Sequence, residues 1–260
     1  MHDRQTLMKN MADMGIQSNG TLLVHSSMKA IGTVDGEADA VLDALSVYMA
    51  DGLLVLPTHT WNHITPDNPY FSVTDSPSCV GILTELFRKR PGVIRSHHPT
   101  HSVAALGRDA ASFTAGDEYF HTPLNRNGPW GRLLDRRATI LFIGADLTKN
   151  TYMHAVEEFL DIPDNLKGTQ EILYSGKPDG VTTIVPQYGH QGNRSVRFGK
   201  MEEGFLRNGA MRKGRFGDAE TRICDVLRMT EILSVMLCRN PWLFADDRPV
   251  DRTLYPMYDF

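Results

Sequence analysis

The segment from Ala138 to Leu160 constrains the fold most, because an apolar stretch leads through a short polar loop into an amphipathic stretch. Thr139 to Ile143 are too few and too rich in β-branched residues for a helix, so they predict a buried strand. From Thr151 onward, apolar residues recur three and four positions apart, which predicts an amphipathic helix: Met153, Val156, Phe159 and Leu160. A loop between a buried strand and a helix is a usual position for ligand sites in α/β proteins.

Two polar residues of the predicted helix, His154 and Glu157, lie three positions apart and therefore share one face, close to the helix start. Asn150 is a suitable N-cap for that helix. A histidine near the positive end of a helix is disfavoured as imidazolium, so the neutral ring, which accepts a proton, is favoured. His154 is therefore the candidate general base. The pair alone is more commonly structural, because the chain has ten histidines and 31 acidic residues and about one such pair is expected by chance.

The N-terminal part of the chain has the pattern of a βαβ unit. Thr21 to His25 and Leu53 to Pro57 predict buried strands, and Glu37 to Ala50 predicts the helix between them. A parallel pair of strands is expected from this order. The first strand ends in a polar run, His25 to Ser27, where a ligand would be met. A hydroxyl-rich turn that satisfies its own backbone is the structural alternative.

Further elements follow from the same periodicities. Helices are predicted over residues 4–15, Val80 to Arg90, Gly131 to Arg136, Gly199 to Arg207 and Cys224 to Cys238, and a strand over Val103 to Leu106. Gln170 to Tyr174 and Val181 to Val185 predict a hairpin around SGKPDG. Arg207 to Gly217 is interpreted as a basic, glycine-rich turn, and Pro241 to Phe260 as a strap on the surface. The chain is thus predicted to form a mixed α/β fold with a partly parallel sheet flanked by helices, as one domain over residues 1–260 that allows a smaller lobe around residues 165–220.

The composition is that of an ordinary globular protein, with 41% hydrophobic and 22% charged residues among 260. A net charge of −4 gives no electrostatic support for nucleic-acid binding. The N-terminus is charged and no apolar run reaches membrane length, so we expect no signal peptide, no membrane partner and a cytoplasmic protein. The three cysteines form no metal-spaced pair.

Histidines cluster in two proline-rich segments, which raises a metal-dependent hydrolase as an alternative. His59 and His63 are four positions apart, and His97, His98 and His101 precede the next predicted strand. Sequence distance does not fix geometry in such loops, and neither HExxH nor CxxC occurs, so no metal is expected and the roles of these histidines stay open. The GxSxG elbow of serine hydrolases and the glycine motifs of nucleotide-binding proteins are also absent from the sequence.

Five segments between Leu22 and Glu158 read, in order, LLVHSSMKAIG, GLLVLPTHT, RSHHPTHSVAALG, GPWGRLL and ILFIGADLTKNTYMHAVEE. They resemble the successive signature blocks of the aminoglycoside 3-N-acetyltransferase family, also called the antibiotic N-acetyltransferases. A looser likeness continues through GFLRNGAMRKGRFGDAETRI to about residue 235. The resemblance implies an acetyl-coenzyme A-dependent N-acetyltransferase, associated with antibiotic resistance, whose mixed α/β fold differs from that of the GNAT acetyltransferases.

The resemblance also implies catalytic residues. The family's catalytic histidine lies in a block NTxxHxxE, and this sequence matches the block at all four positions: Asn150, Thr151, His154 and Glu157. A second catalytic group is implied at His190. Where some members place an acidic residue before that histidine, this chain has Tyr188 and Gly189.

The coenzyme A site of the family draws on two turns. The VHSS turn corresponds to His25, Ser26 and Ser27, and the Pro-x-Gly-x-Leu turn corresponds to Pro129, Gly131 and Leu133. Many members have a serine before that proline, whereas this chain has Gly128. Thr151 of the catalytic block is assigned to the same coenzyme site.

The implied reaction requires a base, because an amine is an ammonium ion at neutral pH and must lose a proton before its nitrogen attacks a thioester. We expect His154 to accept that proton, Glu157 or His190 to orient its ring, and the Ser26–Ser27 turn to bind the oxyanion.

The expected acceptor is a primary amine, the 3-amino group of an aminoglycoside, and acidic loop residues are candidates to receive such a polycation: Asp67, Asp75, Asp117 and Glu118. A non-catalytic coenzyme A-binding protein is the remaining alternative, and a homodimer is left open.

Overall fold

The computed structural model describes residues 1–176 and 180–255. Its strands are β1 (Thr21–Ser26), β2 (Leu53–Pro57), β3 (Tyr70–Ser72), β4 (Ile94–Arg95), β5 (Val103–Gly107), β6 (Thr139–Ile143), β7 (Glu171–Gly176), β8 (Thr182–Gln187), β9 (Met211–Phe216) and β10 (Ala219–Asp225). Its α-helices are α1 (Arg4–Asp13), α2 (Met28–Ile31), α3 (Glu37–Tyr48), α4 (Ile82–Phe87), α5 (Ala110–Thr114), α6 (Pro129–Asp135), α7 (Thr151–Phe159), α8 (Glu202–Arg207) and α9 (Val226–Arg239). Short 3-10 helices cover Asp117–Tyr119, Leu147–Lys149, Arg194–Met201 and Arg252–Leu254.

The larger of two sheets has seven strands in the order β4-β5-β2-β1-β6-β10-β9. The central strands β2, β1 and β6 are mutually parallel, and each outer strand is antiparallel to its inner neighbour. The predicted βαβ unit is confirmed, and so is the predicted strand from Thr139 to Ile143. The fold is therefore the mixed α/β class with a partly parallel sheet flanked by helices.

Helices cover both faces of this sheet, because successive residues of each strand point to opposite sides. Along β1, Leu22 and Val24 pack with helices α1 to α4, whereas Leu23 packs with helices α5 to α9. The central strands are therefore buried on both faces. Such strands read as continuous apolar runs, which explains why short apolar stretches predicted them.

A smaller sheet contains β3, β7 and β8, with β7 antiparallel to β8. The predicted hairpin is thus confirmed, while part of its predicted turn, residues 177–179, lies outside the described residues. Phe71 and Leu173 are buried together with Ile64 under this sheet. The smaller lobe around residues 165–220 stays a prediction: β7 and β8 of that range belong to the small sheet, and β9 belongs to the large one.

The interpretation of Arg207 to Gly217 as a basic turn is wrong, because residues 211–216 form the edge strand β9. Met211 and Phe216 are buried, whereas Arg212, Lys213 and Arg215 occupy the positions between them. Charged side chains are common on edge strands, where they prevent pairing with other chains, and here they obscured the strand pattern. Similarly, Cys224 lies in β10 and not in the following helix.

The tail is more than a surface strap, because Leu243 and Phe244 are buried in the core on the side of α5 to α9. Its last residues, 256–260, lie outside the described part of the chain. Further differences are that α4 is shorter than predicted and that four short elements were not predicted: α2, α5, β3 and β4. Among the described residues, no helix has the length and apolar character needed to cross a membrane.

Helix α6 begins with a close approach between two backbone segments. Pro129 occupies its first turn, and Gly131 packs against the backbone of Arg126, so that a Cβ atom at this position would overlap the Arg126 carbonyl oxygen. Trp130 and Leu133 are buried beside it in the core. The packing of this turn therefore requires a glycine at position 131.

Gly131→Ala is expected to lower the free energy of unfolding by about 1–3 kcal/mol, because the added methyl group overpacks the contact with Arg126. Gly168→Ala is the matched control, since a Cβ atom at Gly168 meets no atom within 4 Å. That control should change stability by less than about 0.5 kcal/mol. Urea unfolding followed by circular dichroism measures both values, and equal effects of the two substitutions would contradict this packing role.

Candidate active site

Polar residues gather at one edge of the seven-stranded sheet, where its three parallel strands end. β1 ends at Ser26, β2 at Pro57 and β6 at Ile143, so the segments that follow them leave the sheet at the same edge. Because β5 runs antiparallel to β2, the residues that precede β5 reach this edge as well. The carboxyl edge of parallel strands is the usual location of ligand sites in α/β sheets.

The pairing of β2 with β5 continues beyond the ends of both strands. The backbone N–H of Thr58 donates to the carbonyl oxygen of Ser102 at 2.8 Å. His59 and His101 then lie opposite each other, with ring centroids 4.8 Å apart. Strand register therefore joins the two histidine-bearing loops whose geometry the sequence left undefined.

His154 lies in the first turn of α7 and is held by a buried carboxylate. Its Nδ1 lies 2.9 Å from Oε2 of Glu157, whose side chain is fully buried. The other carboxylate oxygen, Oε1, accepts a hydrogen bond from Nη1 of Arg194 at 2.9 Å. The predicted face shared by His154 and Glu157 is thus present, and Arg194 completes it.

The contact with Glu157 fixes the tautomer of His154. An ionised carboxylate accepts hydrogen bonds and cannot donate one, so Nδ1 carries the ring proton and Nε2 keeps its lone pair. No group in the described part of the chain is hydrogen bonded to Nε2, and the side chain is 16% exposed. Nε2 is thus the atom of this ring that is able to take a proton from a substrate.

His190 forms a second histidine–carboxylate pair beside the first. Its Nε2 lies 2.7 Å from Oε1 of Glu158, and both oxygens of Glu158 also accept the backbone N–H of Leu124 at 3.1 Å. The rings of His190 and His154 are stacked with centroids 4.7 Å apart. His190 therefore lies against the candidate base but is oriented by a carboxylate of its own.

The stacking extends into a series of aromatic rings. His101 lies edge-on to His190 at 5.4 Å, and His59 stacks on Trp130 at 5.6 Å. The indole N–H of Trp130 donates to the carbonyl oxygen of His101 at 3.1 Å. Phe198 packs on the remaining side of His154 at 4.6 Å. The structure thus brings His59 and His101 to the same site as His154 and His190.

Burial lowers the pKa of four histidines, because each of these rings loses the hydration that stabilises its charged form: His59, His98, His101 and His154. For His154 burial is the largest cause, and the hydrogen bond to Glu157 acts in the opposite direction. The pKa values of His59 and His101 are also lowered by burial and then by neighbouring histidines. Burial lowers the pKa of His98 to about 3. Burial, in addition to the helix end that the sequence suggested, therefore favours the neutral ring of His154 near pH 7.

Asp117 and Glu118, expected among the acidic loop residues, are only 2% and 5% exposed. Oδ2 of Asp117 accepts a hydrogen bond from the hydroxyl of Ser96 at 2.5 Å, and its carboxyl also accepts the backbone N–H of His98. Burial raises the pKa of Asp117 to about 7, and the nearby charge of Glu118 acts in the same direction. Asp117 thus anchors the loop that carries His98 and His101.

The residues implied for coenzyme binding at the VHSS turn lie at the same sheet edge. The ring of His25 stacks on Phe142 of β6, with centroids 4.9 Å apart. Ser26 and Ser27 are half-buried, and the backbone N–H of Ser27 donates to Ile143 at 2.8 Å. Because that N–H already has a hydrogen-bond partner, the groups with which this turn could bind a ligand include the hydroxyls of Ser26 and Ser27.

Thr151 and the Pro129–Leu133 turn flank the histidine rings. The hydroxyl of Thr151 lies 3.2 Å from Nε2 of His59. Pro129, Gly131 and Leu133 are all buried, and Leu133 belongs to the hydrophobic core. The side chain of Leu133 therefore supports the fold of this turn.

Among residues 1–176 and 180–255, no group of three or more histidine, cysteine or acidic side chains is arranged to hold a metal ion. His63 is exposed on a turn, and His97 is half-buried. The ring of His101 contacts those of His59 and His98, with centroids 4.8 and 6.1 Å apart.

Sequence reasoning did not single out Arg194, Trp130 or Phe198 as site residues. Arg194 has no motif around it. The one signal that could have identified it is that a buried carboxylate needs a cation as its partner. Trp130 lies inside the Pro-x-Gly-x-Leu turn and was passed over as its variable position. The Asn150 side chain, expected to cap α7, makes no capping hydrogen bond and instead contacts Met229.

Comparisons with known proteins identify relatives along most of the chain. The family model described as aminoglycoside 3-N-acetyltransferase matches residues 23–237. The SPbeta prophage-derived aminoglycoside N(3')-acetyltransferase-like protein YokD of Bacillus subtilis (strain 168) is 26% identical over 258 residues, which cover 91% of this chain and 93% of that protein. Aminoglycoside N(3)-acetyltransferase VII of Streptomyces paromomycinus is 30% identical over 198 residues, which cover 67% of each chain.

A solved structure shares the fold. AAC-IIIb in its binary complex with CoASH has a TM-score of 0.80 at 23% sequence identity, and the alignment covers 91% of this chain and 96% of that one. The expectation of an antibiotic N-acetyltransferase fold, distinct from GNAT, is confirmed.

Asp117→Asn is expected to reduce the fall of stability with rising pH. A carboxyl whose pKa is about 3.8 when unfolded and about 7 when folded stabilises the protein below pH 4 and loses that contribution as pH rises through 7. The amide stays neutral and keeps one oxygen as an acceptor. Urea unfolding at pH 5 and pH 8 measures the effect. The free energy of unfolding of the variant, relative to that of the wild type, should be higher at pH 8 than at pH 5. A difference between the two proteins that does not depend on pH would contradict the assignment.

Proposed function

The chain belongs to the aminoglycoside 3-N-acetyltransferase family, and on that premise we propose that it transfers the acetyl group of acetyl-coenzyme A to a primary amine, the 3-amino group of an aminoglycoside. Family membership makes it an acyltransferase. The acceptor is proposed from the relatives, which are named as aminoglycoside N(3)-acetyltransferases. Coenzyme A is supported by the family and by the CoASH complex of AAC-IIIb.

One observation carries the proposed mechanism: Nδ1–H of His154 is held by the buried Glu157 carboxylate, which leaves the Nε2 lone pair for a substrate. The ammonium group of the acceptor gives a proton to Nε2. The neutral nitrogen then attacks the thioester carbonyl carbon, and the carbonyl electron pair moves to oxygen. Collapse of this tetrahedral intermediate breaks the C–S bond and releases the thiolate, which takes up a proton as the amide forms. A positioned base of this kind contributes about 10² to 10⁴-fold to the rate.

The charges around His154 suit a cationic acceptor. The carboxylates of Glu157 and Glu158 face one arginine, Arg194, and the neutral ring of His154 adds no charge. The two carboxylates outnumber the one arginine, and this excess of acidic groups stabilises the approach of an ammonium ion. Glu157 orients His154, and we assign to His190 the assisting role, because its ring covers one face of the base.

The VHSS turn is the proposed contact for the thioester end of acetyl-coenzyme A. Nε2 of His25 is buried without a hydrogen-bond partner among the described residues, so the turn offers a polar atom that a ligand would satisfy. The hydroxyls of Ser26 and Ser27 are the proposed donors to the oxyanion. Thr151 and the Pro129–Leu133 turn are proposed to complete the coenzyme site. A homodimer and a cytoplasmic location stay predictions.

His154→Ala is expected to lower kcat by at least about 10²-fold while acetyl-coenzyme A still binds, because the base is lost and the coenzyme turn is untouched. Thiol release from acetyl-coenzyme A measures turnover with a panel of amines: aminoglycosides, their 3-N-acetylated forms and simple alkylamines. Isothermal titration calorimetry measures coenzyme binding. His63→Ala is the matched control, because His63 is exposed on a turn and takes part in none of the ring contacts described above.

The same panel separates the alternatives. If the acetyl group goes to the 3-amino group, aminoglycosides should support thiol release and their 3-N-acetylated forms should not. Retained turnover in His154→Ala would refute the role of the base. Coenzyme binding without thiol release for every amine would favour a non-catalytic coenzyme A-binding protein.

A further inference from the structure

The Glu157 carboxylate is fully buried, and both of its oxygens have a hydrogen-bond partner. Oε2 is bonded to Nδ1 of His154, and Oε1 accepts a hydrogen bond from Arg194. An isolated carboxylate in such a place would take up a proton, because burial penalises its charged form. Arg194 supplies the opposite charge that a buried carboxylate requires.

Arg194 is itself fixed on two sides. It is 7% exposed, Nη1 donates to Glu157, and Nη2 donates to the carbonyl oxygen of Pro163 at 2.9 Å. The planar guanidinium thus has one orientation in which both contacts form. The bond to Pro163 sets the angle at which Arg194 meets Glu157.

The short segment from His190 to Arg194 contacts two adjacent glutamates of α7. His190 bonds to Glu158, and Arg194, four residues later, bonds to Glu157. The backbone N–H of Gln191 donates to the carbonyl of Asn165 at 2.8 Å, which ties the segment down between these two contacts.

We infer that Arg194 is a positioning residue: it keeps Glu157 ionised and oriented, and thereby keeps the proton of the His154 ring on Nδ1 and the lone pair on Nε2. The inference rests on the proposed role of His154 as the base. Arg194 acts through Glu157, because it bonds to the carboxylate oxygen that His154 does not contact.

The sign of its effect follows from the groups around the His154–Glu157 pair. They are Glu158 on the same helix, His190 and Arg194 from the segment after β8, and His101 from the loop before β5. Removing Arg194 leaves two carboxylates without an arginine, so the pair binds a proton more readily. It should then take up a proton at a pH about 1–3 units higher than in the wild type.

The test is an NMR titration of imidazole-labelled protein without substrates. The His154 resonance is assigned by its loss in His154→Gln, and its midpoint is compared between the wild type and Arg194→Met. Arg197→Met is the matched control, since Arg197 lies on the same 3-10 helix and pairs with the exposed Asp247 at 2.9 Å. We expect a raised midpoint in Arg194→Met and an unchanged one in Arg197→Met.

A Glu157→Gln background separates electrostatics from general loosening of the site. With the carboxylate gone, Arg194→Met should raise the His154 midpoint by clearly less than in the wild-type background, because the arginine acts through Glu157. An equal rise in both backgrounds, or no rise in either, would overturn the inference. Arg194→Gln is the second neutral variant should Arg194→Met not fold, and if neither neutral variant folds, Arg194 is a folding residue and the inference is refuted.

The titration does not depend on an acceptor. If the wild type releases no thiol with any amine, the proposed function is refuted, but the midpoint of the His154 titration is still measured. An unchanged midpoint in an active enzyme would remove the inference alone. Where turnover is observed, the acid limb of kcat/KM should move to higher pH together with the midpoint.

Discussion

Three parallel strands buried on both faces, β2, β1 and β6, determine where everything else in the molecule lies. Because helices cover both faces, the carboxyl edge of these strands is where polar groups are able to collect next to ordered backbone. The antiparallel β5 then returns along β2 and brings a second loop to the same edge. Hydrophobic burial thus places the polar site without any polar residue having to direct the fold.

The site concentrates charge in a setting that would ordinarily exclude it. Two glutamates follow each other on α7, and each has its own cationic or proton-donating partner, Arg194 or His190. Neutral histidine rings and Trp130 fill the space around them. Water is largely replaced by fixed dipoles and rings, so the interactions that remain are stronger than they would be at a surface.

Much of the fold was predictable from the sequence, because its central elements have simple patterns. The strand at Thr139–Ile143 and the helix after it follow from periodicity alone, and five ordered blocks implied the family. Other features depend on information that a pattern does not contain. His59 and His101 meet because of strand register, β9 was hidden by the charges of an edge strand, and Arg194 lies in a loop with no motif. The helix start suggested His154 as a base, the resemblance implied the reaction and the roles of Glu157 and His190, and the structure adds their mutual contacts.

The segment from His190 to Arg194 has a consequence for how such a chain is able to vary. Its two ends are anchored to neighbouring glutamates, while Gln191, Gly192 and Asn193 between them are exposed. Gln191 and Asn193 are open to substitution because they are exposed, whereas Gly192 has a φ of +71°, which favours glycine. The number of residues between the two anchors is fixed, because one insertion or deletion would break the contact at one end. We therefore expect loop length here to be invariant among proteins that keep both contacts, even where the loop sequence drifts.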